Sequence, residues 1–243
     1  MWLRGGVAFD DVVHALSRSR VLVGAGPSLV PPSTGRAIGL GEALVEWRRA
    51  GAPIRLVLPV PGDVRGLPGS LTAGSEELRT AALEAGEAVV GAQLGLVPGR
   101  RQFGPSSAEP ELMWWGYELG PTGLESTGAR QPVSVADAQY ELAEAVRDSA
   151  GPLAEIGAFG WSEEVREQLA DARRAGERLN LPPGHPPRAV SLLAQAERLA
   201  SVLAIARTGV TADRAGATDR DTTLHNLERA VRTARVAGYN AGV

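Results

Sequence analysis

The chain has 243 residues, a formal net charge of −3 and a hydrophobic content of 44%, enough to bury a sizeable core in one large domain or two small ones. All 25 basic residues are arginine and cysteine is absent. These absences exclude lysine Schiff-base and general-base chemistry, the conventional P-loop, thiolate nucleophiles, disulfides and thiolate metal sites.

Charge is spread evenly: residues 1–132 carry 12 Arg against 13 acids, and residues 133–243 carry 13 against 15. Neither half has the basic footprint that nucleic-acid phosphates demand. The N-terminal run Met1-Trp2-Leu3-Arg4-Gly5-Gly6 passes into Phe9-Asp10-Asp11 with no apolar signal core. The most apolar helical run, Val190 to Ala206, is interrupted by Gln195, Glu197 and Arg198, whereas a membrane span needs about 20 predominantly apolar residues. A cytoplasmic protein with neither membrane nor nucleic acid as partner is expected.

Composition changes near Pro132, which predicts two units, 1–132 and 133–243, either as separate domains or with the second packed on the first as one compact body. In the first, Asp10 to Arg18 reads as a short helix leading into a strand at Arg20-Val21-Leu22-Val23. Gly24-Ala25-Gly26-Pro27 stops that strand, and Arg36 to Ala50 reads as a helix ended by Gly51 and Pro53. Ile54 to Leu58 is the clearest strand, closed by Pro59 and Pro61. Ser75 to Glu87 reads as a helix with Ser75 as N-cap. Val89-Val90, or Leu94 to Val97, supplies another strand, and Leu112 to Leu119 a further one, placed antiparallel at an edge. Strands alternating with helices predict an α/β (or α+β) unit with a small, mostly parallel sheet of βαβ elements.

The second unit carries four apolar stripes at helical spacing: Val135/Ala138/Leu142/Ala145, Trp161/Val165/Leu169/Ala172, Leu192/Ala196/Leu199/Leu203 and Leu224/Leu227/Val231/Ala234. They predict about four helices packed together or against the sheet. Ser134 with Asp137, and Thr218 with Asp221, have capping-box spacing. A Pro-rich turn at Asn180 to Pro187 places His185 at an exposed position, and His225 falls at the bundle margin.

Open parallel sheets bind ligands beyond the carboxyl ends of their strands. If the strands ending at Val23 and Leu58 are parallel neighbours, the loops that follow them face one another. Gly24, Gly26 and Ser28 then form a backbone cradle, Ser33 and Thr34 donate hydrogen bonds, Arg36 and Arg65 supply charge, and Asp63 selects a hydroxyl. Asp63 is also the candidate for acid–base work. The segment Pro98 to Pro110, read as structureless, offers Arg100, Arg101 and Phe103 as a lid. No cofactor motif is present, since Leu29 stands where the dinucleotide fingerprint needs a third glycine. No metal site is expected, because the cluster Asp10/Asp11/His14 has no second cluster to complete it. Trp115 and Tyr117 fall on one face of their strand and Trp114 on the other.

Glu42-Ala43-Leu44 through Leu58-Pro59-Val60, and Gly123 to Gly128, resemble segments of 5-formyltetrahydrofolate cyclo-ligases. That family's glycine-rich nucleotide loop ending in Asp-Arg has no counterpart here, so no function is carried over. Two functions are expected from the residues: binding of a small anionic metabolite or nucleotide at the strand-end loops, or a noncatalytic interaction or assembly role for the helical unit, with homo-oligomers open to it.

Overall fold

The computed structural model describes residues 20–23, 37–38, 45, 49, 54–69, 72–91, 93–101, 111–119, 133–158, 167, 181, 184–209 and 217–241. The chain divides between Pro132 and Val133 into two compact units.

The described elements of the first unit are β1 (Arg20–Val23), β2 (Ala37–Ile38), β3 (Arg55–Val57), α1 (Ala73–Ala85), β4 (Ala88–Val90), β5 (Leu94–Arg101) and β6 (Glu111–Glu118). They form one six-stranded sheet in the order β2-β1-β6-β5-β4-β3. Only β1 and β6 pair in parallel; β1–β2, β3–β4, β4–β5 and β5–β6 are all antiparallel. The unit is therefore mixed α+β, and the expected mostly parallel sheet is overturned.

Local chain geometry explains the difference. Between β4 and β5 the chain turns within Gly91 to Gln93, where the Gly91 amide donates to the Leu94 carbonyl at 3.0 Å. So tight a connection permits only an antiparallel pair, because a parallel one needs a crossover of a dozen or more residues. The α1 connection misleads for another reason. Gly74, at the start of α1, sits hard against the Glu118 carbonyl at the end of β6. The end of β3 lies at the opposite end of the sheet, because β3 runs antiparallel to β6. The loop after β3 thus travels the length of the sheet first, and α1 brings the chain back to start β4 antiparallel to β3.

Other boundaries also move. Ala37 and Ile38 are strand where the helix from Arg36 was expected, while Val45 and Arg49 within that range are helical. The cap of α1 is Thr72, whose hydroxyl oxygen accepts from the Ser75 amide at 3.2 Å, while Ser75 itself is buried. Pro98 to Arg101 belong to β5 and are not loop. Finally, β6 is not an edge strand but lies between β1 and β5.

One face of the sheet packs on α1. Leu78, Ala81 and Ala82 of the helix meet Val57, Ala88, Val90, Val97 and Tyr117, with Trp115 against them. Gly95 makes the close approach possible, since a Cβ there would meet the Leu78 side chain at 2.5 Å.

In the second unit, α2 (Val135–Ala158), α3 (Pro187–Gly209) and α4 (Ala217–Asn240) form a bundle, and Glu167 is helical. Ala138, Leu142, Leu192, Ala196, Leu203, Leu227, Val231 and Ala234 are all buried in its core. Three of the predicted stripes therefore point inward; the Trp161 stripe lies outside the described residues. Burial of each of Leu142, Leu192 and Leu227 contributes about 2 kcal/mol. Ser134 caps α2 as its spacing predicts: the Asp137 amide donates to Ser134 Oγ at 3.1 Å and Ser134 Oγ donates to the Asp137 carboxylate at 2.6 Å. Thr218 and Asp221, by contrast, lie inside α4, which begins at Ala217.

Candidate functional site

The loop after β3 is built on a tight turn. Val60 and Asp63 exchange both backbone hydrogen bonds, at 3.0 and 2.9 Å. Between them Pro61 and Gly62 occupy the central positions, with Gly62 at φ 86°. Pro followed by a positive-φ glycine is the pairing a type II turn requires.

This turn brings Asp63 and Arg65 together. The Arg65 guanidinium donates from Nε to Asp63 Oδ1 and from Nη2 to Oδ2, both at 2.7 Å. The planar fork matches the carboxylate in a bidentate pair. Asp63 and Arg65, expected to serve a ligand with separate roles, are thus joined to each other. A ligand anion would have to displace Asp63 from Arg65.

Gly24, Gly26, Ser28, Ser33, Thr34, Arg36 and Phe103 lie outside the described residues. The strands that lead into the two predicted loops are placed, however. β1 and β3 are antiparallel to each other with β6, β5 and β4 between them. At about 4.8 Å per strand they are on the order of 20 Å apart. Their carboxyl ends lie at opposite ends of the sheet, so the condition for two facing loops is not met. Arg100 and Arg101 sit in register with Leu112 and Glu111 on β6, within the ladder rather than on a lid.

The helical unit holds a polar network that the periodicity did not reveal. Arg235 Nε of α4 donates to Glu197 Oε1 of α3 at 2.8 Å, and the Tyr239 hydroxyl donates to the same oxygen at 3.1 Å. Arg235 thus pairs within the bundle, joining α4 to α3. Burial first, and then the Glu197 carboxylate, push the Tyr239 phenol above its ordinary range. The signal was present in the sequence, because Glu197 interrupts an apolar run for no reason local to its own helix.

His185 is buried, contrary to the exposed turn expected of it, and its Nε2 lies 3.0 Å from the Gly238 carbonyl. His225 is exposed. Among the described residues no cluster of three or more His, Asp and Glu side chains is placed to hold a metal, and no helix is long and apolar enough to cross a membrane. Asp10, Asp11 and His14 are outside the described residues.

On the outer face of α2 stands Tyr140, 62% exposed. Its hydroxyl bonds Glu144 one turn on, which raises the phenol's pKa. Glu144 and Arg147 are exposed beside it.

The comparisons with known proteins follow the same division of the chain. The model for the N-terminal domain of Rv1486c-like proteins matches residues 1–127, and the model for their C-terminal domain matches residues 136–236. Uncharacterized protein Rv1486c of Mycobacterium tuberculosis (strain ATCC 25618 / H37Rv) is 32% identical over 285 aligned residues, covering 99% of this chain and 92% of that protein. Uncharacterized protein MT1533 of Mycobacterium tuberculosis (strain CDC 1551 / Oshkosh) matches to the same extent. Uncharacterized protein MAV321 of Mycobacterium avium is 32% identical over 183 residues, covering 65% of this chain and 56% of that protein. No solved structure matches. With both domain models matched in order and a relative aligned over nearly its whole length, the chain belongs to the Rv1486c-like family.

Proposed function

We propose that this chain is a cytoplasmic, noncatalytic interaction protein whose helical unit associates with a second copy of itself through the outer face of α2. The observation that carries this reading is Tyr140, a large aromatic side chain held 62% exposed on a helix whose opposite face is locked into the bundle by Ala138 and Leu142. Tyrosine and arginine dominate the energetics of protein interfaces. Tyr140, Glu144 and Arg147 stand at i, i+4 and i+7, on one face. A face bearing an acid and an arginine one turn apart is self-complementary across a two-fold axis, because each Glu144 can meet the other copy's Arg147.

The small-anion reading has less support. Its two loops leave opposite ends of the sheet, and Arg65 already holds Asp63. The two units, 1–132 and 133–243, are proposed to fold independently, the first as the scaffold.

The test is multi-angle light scattering of the full chain across a concentration series. A dimer that Tyr140→Ala or Arg147→Glu converts to monomer supports the reading. A monomer at every concentration, or a dimer indifferent to both substitutions, contradicts it.

A further inference from the structure

The charges around Tyr140 are sorted by flank. At about 100° per residue, the buried residues Ala138, Leu142 and Ser149 of α2 lie on the side opposite Tyr140. Asp137, Glu141, Glu144 and Asp148, all exposed, fall to one side of it, between about 40° and 100° around the helix. The other side carries no carboxylate between Ala136 and Ala150. It holds Ala136, Ala143 and Ala150, all exposed, together with Arg147.

Two contacts hold cations on that second side. Arg147 Nε donates to the Ala143 carbonyl of its own helix at 3.2 Å, which engages one of the five guanidinium N–H donors. Arg188, at the start of α3, donates from Nε to Gln139 Oε1 at 2.9 Å, and Gln139 stands at the far margin of this side. One exposed aromatic is thus bordered by an acidic flank and by a basic flank of small residues.

Helix direction decides which flanks meet. When two identical helices pair antiparallel about a two-fold axis, each flank meets its own copy, and here the acidic flanks would confront each other. When they pair in parallel, with the axis along the helices, the acidic flank of each meets the basic flank of the other. In register, Arg147 then stands about 4.5 Å along the axis from the level of the other copy's Glu144 and about 1.5 Å from that of its Asp148. Tyr140 stands level with its counterpart at the centre, and the three alanines permit close approach.

Resting on the self-association proposed above, we infer that the second copy lies with its α2 parallel and in register. Reciprocal pairing of Arg147 with Glu144 and Asp148 across the two-fold axis sets that direction.

The chain has no cysteine, so single cysteines report the orientation without background. Ala136→Cys and Ala150→Cys are made separately in the full chain and treated with a short bis-maleimide where light scattering shows a dimer. The two positions are 14 residues apart, about 21 Å along the helix. A parallel pair predicts that each variant cross-links to itself. An antiparallel pair brings at most one of the two sites to its own copy. Cross-linking of one variant only, of neither, or only of the two variants mixed, in a chain that still dimerises, overturns the orientation and leaves the self-association standing. A monomer by light scattering overturns the self-association itself. Asp148→Asn provides a second reading through the dimer dissociation constant. The parallel pair predicts weakening by roughly fivefold, the loss of two symmetry-related surface ion pairs. An unchanged dimer, or a tighter one through relief of carboxylate repulsion, overturns the inference.

Discussion

His185 Nε2 lies 3.0 Å from the carbonyl oxygen of Gly238, across 53 residues of chain. A carbonyl only accepts, so Nε2 donates in this bond, while Nδ1 is buried without a partner. This bond ties the approach to α3 to the last turn of α4. Removing it with His185→Ala leaves the Gly238 carbonyl with only the long bond from the Ala241 amide, at 3.3 Å, and opens a cavity, at a cost of about 1–3 kcal/mol. Urea unfolding measures the loss, and hydrogen exchange should show it concentrated in the last turns of α4.

Gly238, in the last turn of α4, should not tolerate alanine. A Cβ at Gly238 would meet the Leu193 side chain at 2.5 and 2.7 Å, and Leu193 is fully buried and cannot step aside. Overpacking of this kind costs about 1–3 kcal/mol, more than the helix-propensity gain of about 1 kcal/mol. Gly238→Ala should therefore lower the melting temperature, which thermal melts check.

Alkaline titration reads Tyr117. Burial, with Glu77 and Glu84 adding to it, raises its pKa from 10.0 to about 12. Because the folded value lies above the unfolded one, the folded state holds the phenol proton more tightly. The associated stability is complete below pH 10 and is lost as pH rises from 10 toward 12. The change is on the order of 3 kcal/mol. In Tyr117→Phe this part of the alkaline destabilisation should vanish, as denaturant midpoints measured at pH 9 and pH 11.5 would reveal.

The caps of α1 and α2 are also separable. Thr72 accepts the Ser75 amide, and Ser134 accepts the Asp137 amide. Thr72→Ala and Ser134→Ala should each cost about 1 kcal/mol. Amide exchange should rise in the first turn of the helix whose cap is removed.

What the sequence made legible follows from which signals are local. The stripes through Leu142, Leu192 and Leu227 found their helices because a helix repeats its buried face every turn or so, within one segment. The Ser134–Asp137 cap was legible for the same reason. Strand direction was not, because pairing joins residues far apart: Arg20 with Met113, and Leu94 with Glu118. The helix between β3 and β4 imitated a crossover unit, and nothing local marks a loop that first runs the length of the sheet. Asp63 and Arg65 were singled out as ligand residues from their charge and their place in a loop, whereas a two-residue separation across a turn allows them to pair with each other. His185 was misplaced because its flanking prolines and glycine signal a turn, while the distant Gly238 that buries it leaves no mark on the local sequence.

The central claim is that the outer face of α2 joins two copies of this chain. Light scattering of the full chain, compared with Tyr140→Ala at matched concentration, tests it most directly. The account predicts a concentration-dependent dimer for the parent chain and a monomer for the variant, with unchanged helical content in both. A parent chain that stays monomeric, or a variant that dimerises equally well, contradicts it.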